Sequence, residues 1–586
     1  MHLGSGISRR AVSLFTVLLL LTATVLALVP GVATAEDIVL TVGRTKSSFT
    51  IDGKADETAW ASAPPTIVEA KKGDATLNVE VKALYDDTYV YFLTQWSDPS
   101  YSVRPNQWNF SGGAWQSYLH KEDRLSMLWD SGSIAGFETQ RQGCAALECH
   151  EGAFQTKASG EWGDVWQWLA GRTNPSTRAD NMGWMDDLSI GPNGIVPDDF
   201  SGSKVWAPNS NYADDSNAST VAFASGDYPE YQAQENNPPP NPDPDHAFLF
   251  DGYITKITNK TDFEDGTTLP GWVLSRPTGD RADIDAKGVY DPVGKSWTLE
   301  IKRKLVTGHT SADQQFDDLT KDYSMGLSVF DNREGGIDTH YNSPLVTVRF
   351  ALPELAVTAL SASTLTPVIG NPVTVNVTIR NTGAYANGFT VGLFLDNATG
   401  TPVLTKPYSE MAAASNDTFN WSWDTTGVEA GKHKLIVKAD SAGVVIEKDK
   451  LNNVRDLEVW VYPGISLLKA SKTKPEAGTK ITITATVHNP STTTVSLTII
   501  LSEKDKVLDT LIENFTGGED KNVTFTWKSS KVGRHTLTVM VQGSPETAKT
   551  IDINVQEESP AAGAVWALLA IAAVGAAAVA SRRRRG

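Results

Sequence analysis

From residue 75 to 96 the chain reads ATLNVEVKALYDDTYVYFLTQW, with apolar and polar positions alternating on both sides of Asp86-Asp87. A period of two, broken by a pair of turn-forming acids, predicts a β-hairpin. KSWTLEIKRKL (295–305) and SPLVTVRFAL (343–352) carry the same alternation and are read as further strands. Residues 36–352 are therefore expected to be mostly β. The stretch from about 195 to 247 departs from this pattern. It is rich in Asn, Asp, Ser, Gly and Pro and runs into ENNPPPNPDPDHAF, so it is read as a long surface insertion.

Between 353 and 556 the pattern repeats. PELAVTALSASTLTPVIGNPVTVNVTIRNTG is followed by PGISLLKASKTKPEAGTKITITATVHNPSTT, and FNWSWDTTGVEAGKHKLIVKAD is echoed by VTFTWKSSKVGRHTLTVMVQG. Short strands at regular spacing with Gly, Pro and Asn turns predict two small β-sandwiches, at 353–462 and 463–556. His433, His488 and His535 stand singly in strand contexts there and are read as packed or surface residues.

The ends of the chain carry a different pattern. Residues 1–35 combine Arg9 and Arg10, an apolar run and a small-residue ATA, as a secretory signal does. Residues 561–580 form an apolar run long enough to span a bilayer, and the basic tail at 581–586 is expected to stay inside. This tail also resembles archaeal surface-sorting signals. Both readings place the body of the protein outside the cell membrane, anchored to its outer face. Nine Asn-x-Ser/Thr sequons between Asn109 and Asn522 fit a glycosylated exterior.

Composition narrows the function. A net charge of −18 and a pI near 5.0 argue against a nucleic-acid partner. The chain has no nucleophile elbow, zinc-protease motif, phosphate loop or dinucleotide glycine signature, so no residue is assigned a catalytic role and an enzyme is not expected. The informative stretch is RQGCAALECHEGAF, which holds both cysteines, Cys144 and Cys149, with His150 directly after the second. Covalent haem attachment needs two thiols and a histidine beside the second, and the usual spacing is C-x-x-C-H. Here the spacing is wider, at C-x-x-x-x-C-H. An exported chain with two cysteines equally fits a disulfide, so both readings stand. Zinc would need a fourth ligand that no second cluster supplies.

Two resemblances follow from these motifs. DKLNNVRDLEVWV (449–461) resembles the cell-adhesion-related CARDB domains, which are immunoglobulin-like; the second repeat matches more loosely. SFTIDGKADETAWASAPP resembles the opening both of family-nine carbohydrate-binding sandwiches and of the haem-binding domain related to ethylbenzene dehydrogenase. VYFLTQWSDPSYS, KEDRLSMLWD, GCAALECHEG, GDVWQWLAGRTNP and GWVLSRPTGDRADIDAKGVYDPVGKSWTLEIKRKL, in that order, are similar to the latter. That resemblance implies a β-sandwich holding a haem between its sheets and passing electrons. It implies a methionine and a lysine as axial ligands, and this chain departs at both. His340 stands three residues before Ser343, where the lysine is expected, and His150 is the nearest ligand to the methionine's place.

The resulting expectation is a membrane-anchored extracellular cytochrome that exchanges electrons with a redox partner protein outside the membrane. Its haem would be c-type if Cys144 and Cys149 are attached and otherwise b-type, with His150 and His340 on the iron. Trp166 and Trp168 would wall the pocket, and Arg172 would pair with a propionate. Met127 is read as core, and Met182 and Met185 as packing. The alternative is a surface carbohydrate-binding or adhesion protein whose tryptophans stack on sugars, with glycan or cell-envelope contacts.

Overall fold

The computed structural model describes residues 38–117, 122–131, 134–137, 156, 158–185, 195–197, 206–211, 227–234, 248–311, 313–331, 340–489, 493–542 and 544–558. The signal and the C-terminal apolar run lie outside these residues. Among the described residues no helix is long and apolar enough to cross a membrane. The chain divides into two compact units, one ending at Ala351 and the other beginning at Leu352.

The first unit is built on a thirteen-stranded sheet. Its strands are β1 (Ile38–Arg44), β2 (Thr66–Lys72), β3 (Ala75–Tyr85), β4 (Tyr89–Ser97), β5 (Arg124–Asp130), β6 (Trp162–Leu169), β7 (Asp180–Met185), β8 (Ile195–Pro197), β9 (Asp285–Asp291), β10 (Ser296–Lys304), β11 (Asp322–Phe330), β12 (His340–Asn342) and β13 (Val346–Phe350). They run in the order β8-β7-β6-β5-β11-β12-β2-β3-β4-β10-β9, and β1 and β13 pair with each other and with β3 and β11 respectively. The sheet folds over so that β5 and β6 face β4 and β10. The hairpin expected at 75–96 is β3–β4. Its turn is tied by Asp86, whose carboxylate accepts from the Thr88 and Tyr89 amides and the Tyr91 hydroxyl, each at 2.7 Å.

Alternation fills the space between the two halves with aromatic rings. Phe92 and Trp96 from β4 and Trp297 from β10 meet Trp129 from β5 and Trp166 and Trp168 from β6. All of these rings are buried. The opening motif covers the outer face of β10. Glu300, fully buried, accepts from the Trp60 indole at 3.0 Å and the Gly53 amide at 2.9 Å. Gly53 has φ of 82°, and a Cβ there would stand 2.7 Å from Val289, so only glycine fits this turn.

The insertion read at 195–247 is partly woven into the unit. Trp206–Pro208 pairs with Trp272–Leu274, Tyr231–Ala233 pairs with Ile254–Lys256, and Asn209 is fully buried. The reason is local chemistry. The Asn209 side chain satisfies three backbone groups, accepting from the Tyr231 amide and donating to the Tyr231 and Pro270 carbonyls, while its backbone carbonyl accepts from the Trp108 indole.

The second unit holds the two repeats, each a three-stranded sheet packed on a four-stranded one. Alternating positions such as Val373, Val375, Val377 and Ile379 in the first, and Ile481, Ile483, Ala485 and Val487 in the second, form the cores. An equivalent buried asparagine locks each. Asn381 donates to the Ala384 and Ala412 carbonyls, and Asn489 to those of Thr493, Phe515 and Thr516. The three histidines are packed or surface residues beside acids, His433 with Asp396, His488 with Asp520 and His535 with Glu503, at 2.8 Å in each case.

Candidate functional site

β5, β6 and β11 are buried on both faces. The inner face carries Leu125, Met127, Trp129, Trp166, Trp168, Leu327 and Val329, so Met127 is core. The outer face carries the other set. Antiparallel register places residues directly opposite one another on the same side. One row across the outer face therefore runs Leu169, Arg124, Phe330, His340, and the next runs Gln167, Ser126, Ser328, Asn342. Leu128 and Gly326 continue it.

His340 is buried at 6% exposure, with its ring 4.9 Å from that of Phe330. The Arg124 guanidinium lies 5.6 Å over the same Phe330 ring and is itself 2% exposed. Beside this imidazole the face is lined by small side chains, Ser126, Ser328 and Gly326. Farther along, Leu128, Val165, Trp184, Ile134 and Phe137 make an apolar patch, joined by Met182 and Leu345. Met182 thus packs as expected. The face offers a buried imidazole, a buried cation and an apolar floor.

Cys144, Cys149 and His150 lie outside the described residues. Trp166 and Trp168 do not share a pocket with His340, because they point to the opposite side of the sheet. Their indoles are satisfied inside the sandwich, by Asp164 at 2.9 Å and Asn174 at 3.1 Å. At 1% and 0% exposure they also offer no surface for sugar stacking. Arg172 is buried between the rings of Trp206 and Trp272, at 5.0 and 4.9 Å, and its Nε donates to Glu122 at 2.6 Å. Glu122 also lies 3.8 Å from Arg124 Nε, so the two arginines share one buried carboxylate, with Arg172 the nearer. Arg124, which the sequence reading did not single out, is the cation beside His340. The available signal was its register in KEDRLSMLWD, two positions before Ser126 and four before Leu128.

A second feature missed from sequence is a buried ionic network in the sandwich interior. Arg303, with no exposed surface, stands 3.1 Å from Asp164, 2.7 Å from Asp313 and 3.5 Å from Asp283. Its guanidinium lies 5.0 Å over the Trp166 ring. Burial pushes the carboxyls of Asp164 up to about 6 and Asp283 up to about 7, against the pull of Arg303. Burial alone would lower Arg303, but its three aspartates more than reverse this and hold it raised. His309 is exposed and pairs with Asp280 at the edge of this network.

The fold and this face define a mostly β protein with a two-faced sandwich unit followed by two small β-sandwich modules. Residues 53–342 match the family model of ethylbenzene dehydrogenase, and residues 352–457 and 455–550 each match that of CARDB. The chain carries an ethylbenzene-dehydrogenase-like region followed by two CARDB domains. It is similar to a CARDB domain from Pyrococcus furiosus crystallised in complex with di-metal ions, at 18% identity and a TM-score of 0.17, covering 19% of this chain and 90% of that one. It is also similar to a family 9 carbohydrate-binding module from Caldicellulosiruptor kristjanssonii in complex with glucose, at 9% identity and a TM-score of 0.23, covering 53% of this chain and 95% of that one. Among curated proteins, none matches the chain.

Proposed function

We propose that the first unit is a haem-binding, electron-transfer domain held at the outer face of the cell membrane, in which His340 and His150 would hold the iron. The observation that supports this best is the outer-face row itself. A buried imidazole stands beside a buried arginine on a floor of small and apolar residues, within a region matching the ethylbenzene dehydrogenase family. The donor set suits haem. Imidazole is an established iron ligand, and arginine binds carboxylates such as propionates through a charge-assisted fork. In this reading Arg124 takes the role first given to Arg172. Haem would supply one-electron exchange between ferric and ferrous iron. The protein's own part is to hold the imidazole in place through Phe330 and to exclude water from that face. Cys144 and Cys149 either attach the haem, making it c-type, or form a disulfide beside a b-type haem. The CARDB modules serve as spacers or contact surfaces, and a redox protein outside the membrane is the partner.

The test is an absorption spectrum of the full chain matured in its native host, oxidised and reduced, followed by acid-acetone extraction. A cytochrome spectrum that survives extraction identifies covalent attachment, and one that extracts identifies a b-type haem. His340→Ala is expected to lose the low-spin spectrum. Absence of any Soret band from the native protein would overturn the proposal, and an unchanged spectrum in His340→Ala would remove His340 from the iron.

A further inference from the structure

Where β4 leaves the sandwich and β11 ends, three carboxylates converge. Asp98, Asp123 and Asp331 each place one oxygen within 4.8 Å of the other two. Asp98 and Asp123 are fully buried, and Asp331 is half-buried. Each is positioned from outside the cluster. Asp98 Oδ1 accepts from the Ser100 amide at 2.9 Å and the Ser100 hydroxyl at 3.1 Å. Asp123 Oδ2 accepts from the Ser102 amide at 2.9 Å and the Trp297 indole at 3.1 Å. Asp331 Oδ1 lies 3.3 Å from the Ser100 hydroxyl. One hydroxyl proton cannot serve Asp98 and Asp331 together.

The second observation is an orphaned atom. Asp98 Oδ2 is buried without a hydrogen-bond partner. Among the described residues, no lysine or arginine pairs with Asp98 or Asp331. A dry, ionised carboxylate beside two more carboxylates is strongly unfavourable unless a cation lies among them or one carboxyl keeps its proton. Burial, opposed by the Ser100 hydrogen bond and reinforced by the charge of Asp331, pushes the Asp98 carboxyl up to about 6. The network around Arg303 differs, since its acids already hold a cation.

We propose that Asp98, Asp123 and Asp331 form a binding site for a divalent cation, specifically Ca²⁺. All three donors are hard oxygens, the ligand type that Ca²⁺ selects. Calcium–oxygen distances of about 2.3–2.6 Å let one ion bridge oxygens up to about 5 Å apart, which covers the 4.8 Å within which these three lie, whereas Mg²⁺ at about 2.0–2.1 Å spans only about 4 Å. The ion would tie the Asp98-Pro99-Ser100 turn after β4 to the end of β11, one residue beyond the Phe330 whose ring lies against His340. The inference does not depend on the haem reading.

Trp297 supplies a built-in reporter, because its indole touches a proposed ligand. The full chain, stripped with EDTA, is titrated with Tb³⁺ under tryptophan excitation and then with Ca²⁺ or Mg²⁺ in competition. The expected result is a saturable class of sensitised emission displaced by Ca²⁺ far better than by Mg²⁺. Asp98→Asn and Asp331→Asn are each expected to weaken Ca²⁺ in that class by at least about tenfold, while Asp313→Asn, in the Arg303 network, leaves it intact. If Asp98→Asn fails to fold, the half-buried Asp331→Asn carries the test. No saturable emission in the native chain, or no class weakened in a folded Asp98→Asn or Asp331→Asn variant, would overturn the proposal. Retention of the class in both variants would place the ion elsewhere, and so would its loss in Asp313→Asn alone.

Discussion

Replacing Arg303 with methionine tests the claim that a single guanidinium holds the interior of the sandwich together. The substitution roughly keeps the volume and removes the charge. It leaves Asp164 and Asp313, both fully buried, with no cation at 3.1 and 2.7 Å. Removing one partner of a buried pair typically costs about 3–5 kcal/mol. In a unit of this size each kcal/mol lowers the melting temperature by about 2–4 °C, so a fall of roughly 6–20 °C is expected. The penalty must also depend on pH. Asp164 and Asp283 have folded pKa values raised to about 6 and about 7, above the unfolded value of about 3.9. Such acids bind protons more tightly when folded. Their favourable contribution is complete below the unfolded pKa and is lost as pH rises through the folded pKa. In the wild type the loss therefore falls between about pH 4 and about pH 7. Without Arg303 the carboxyls rise further and the loss extends upward, so Arg303→Met should be penalised little at pH 5 and fully at pH 8. Urea unfolding followed by tryptophan fluorescence reads this unit, which holds most of the tryptophans. A penalty below about 1 kcal/mol at pH 8, or one equal at both pH values, would refute the reasoning.

Two further substitutions probe packing and internal locks. Gly288→Ala puts a Cβ 2.3 Å from Trp168 Cζ2, inside a ring with no room to move, and should cost about 1–3 kcal/mol with a changed near-ultraviolet circular dichroism spectrum. Asn381→Ala and Asn489→Ala each strand buried backbone carbonyls in their own CARDB module and should each cost about 1–3 kcal/mol. Their effects should add in the double variant, because each lies in a separate core, and calorimetry of the full chain checks both points.

The sandwich was legible where alternation had one wet side and one dry side. The first strand of the hairpin at 75–96 and strands of both repeats were visible for that reason. β5 illustrates where legibility ends. RLSMLWD is buried at six of its seven positions, so polarity no longer reports which side faces which layer. The same ambiguity hid the direction of Trp166 and Trp168, whose density suggested a pocket wall when they in fact form the interior. Arg303 had a signal, since it shares a phase with Trp297, Leu299 and Ile301 in β10. A charged residue on the apolar phase of a strand is a partner sought across the fold, and that partner, Asp164, is far away in sequence. His340 sits in a three-residue strand too short to show any period.

A sheet buried on both sides also separates what heredity can change. In β5 and β11, Met127 and Leu327 answer only to the fit of the tryptophan-filled interior, while Ser126, Ser328 and Phe330 answer only to whatever occupies the other side. Adjacent codons thus serve durability and chemistry in turn. A lineage can reshape one face by altering every second residue of a strand while the packing of the other face keeps its own set of side chains. The same arrangement gives a protein engineer two independent alphabets written on one ribbon.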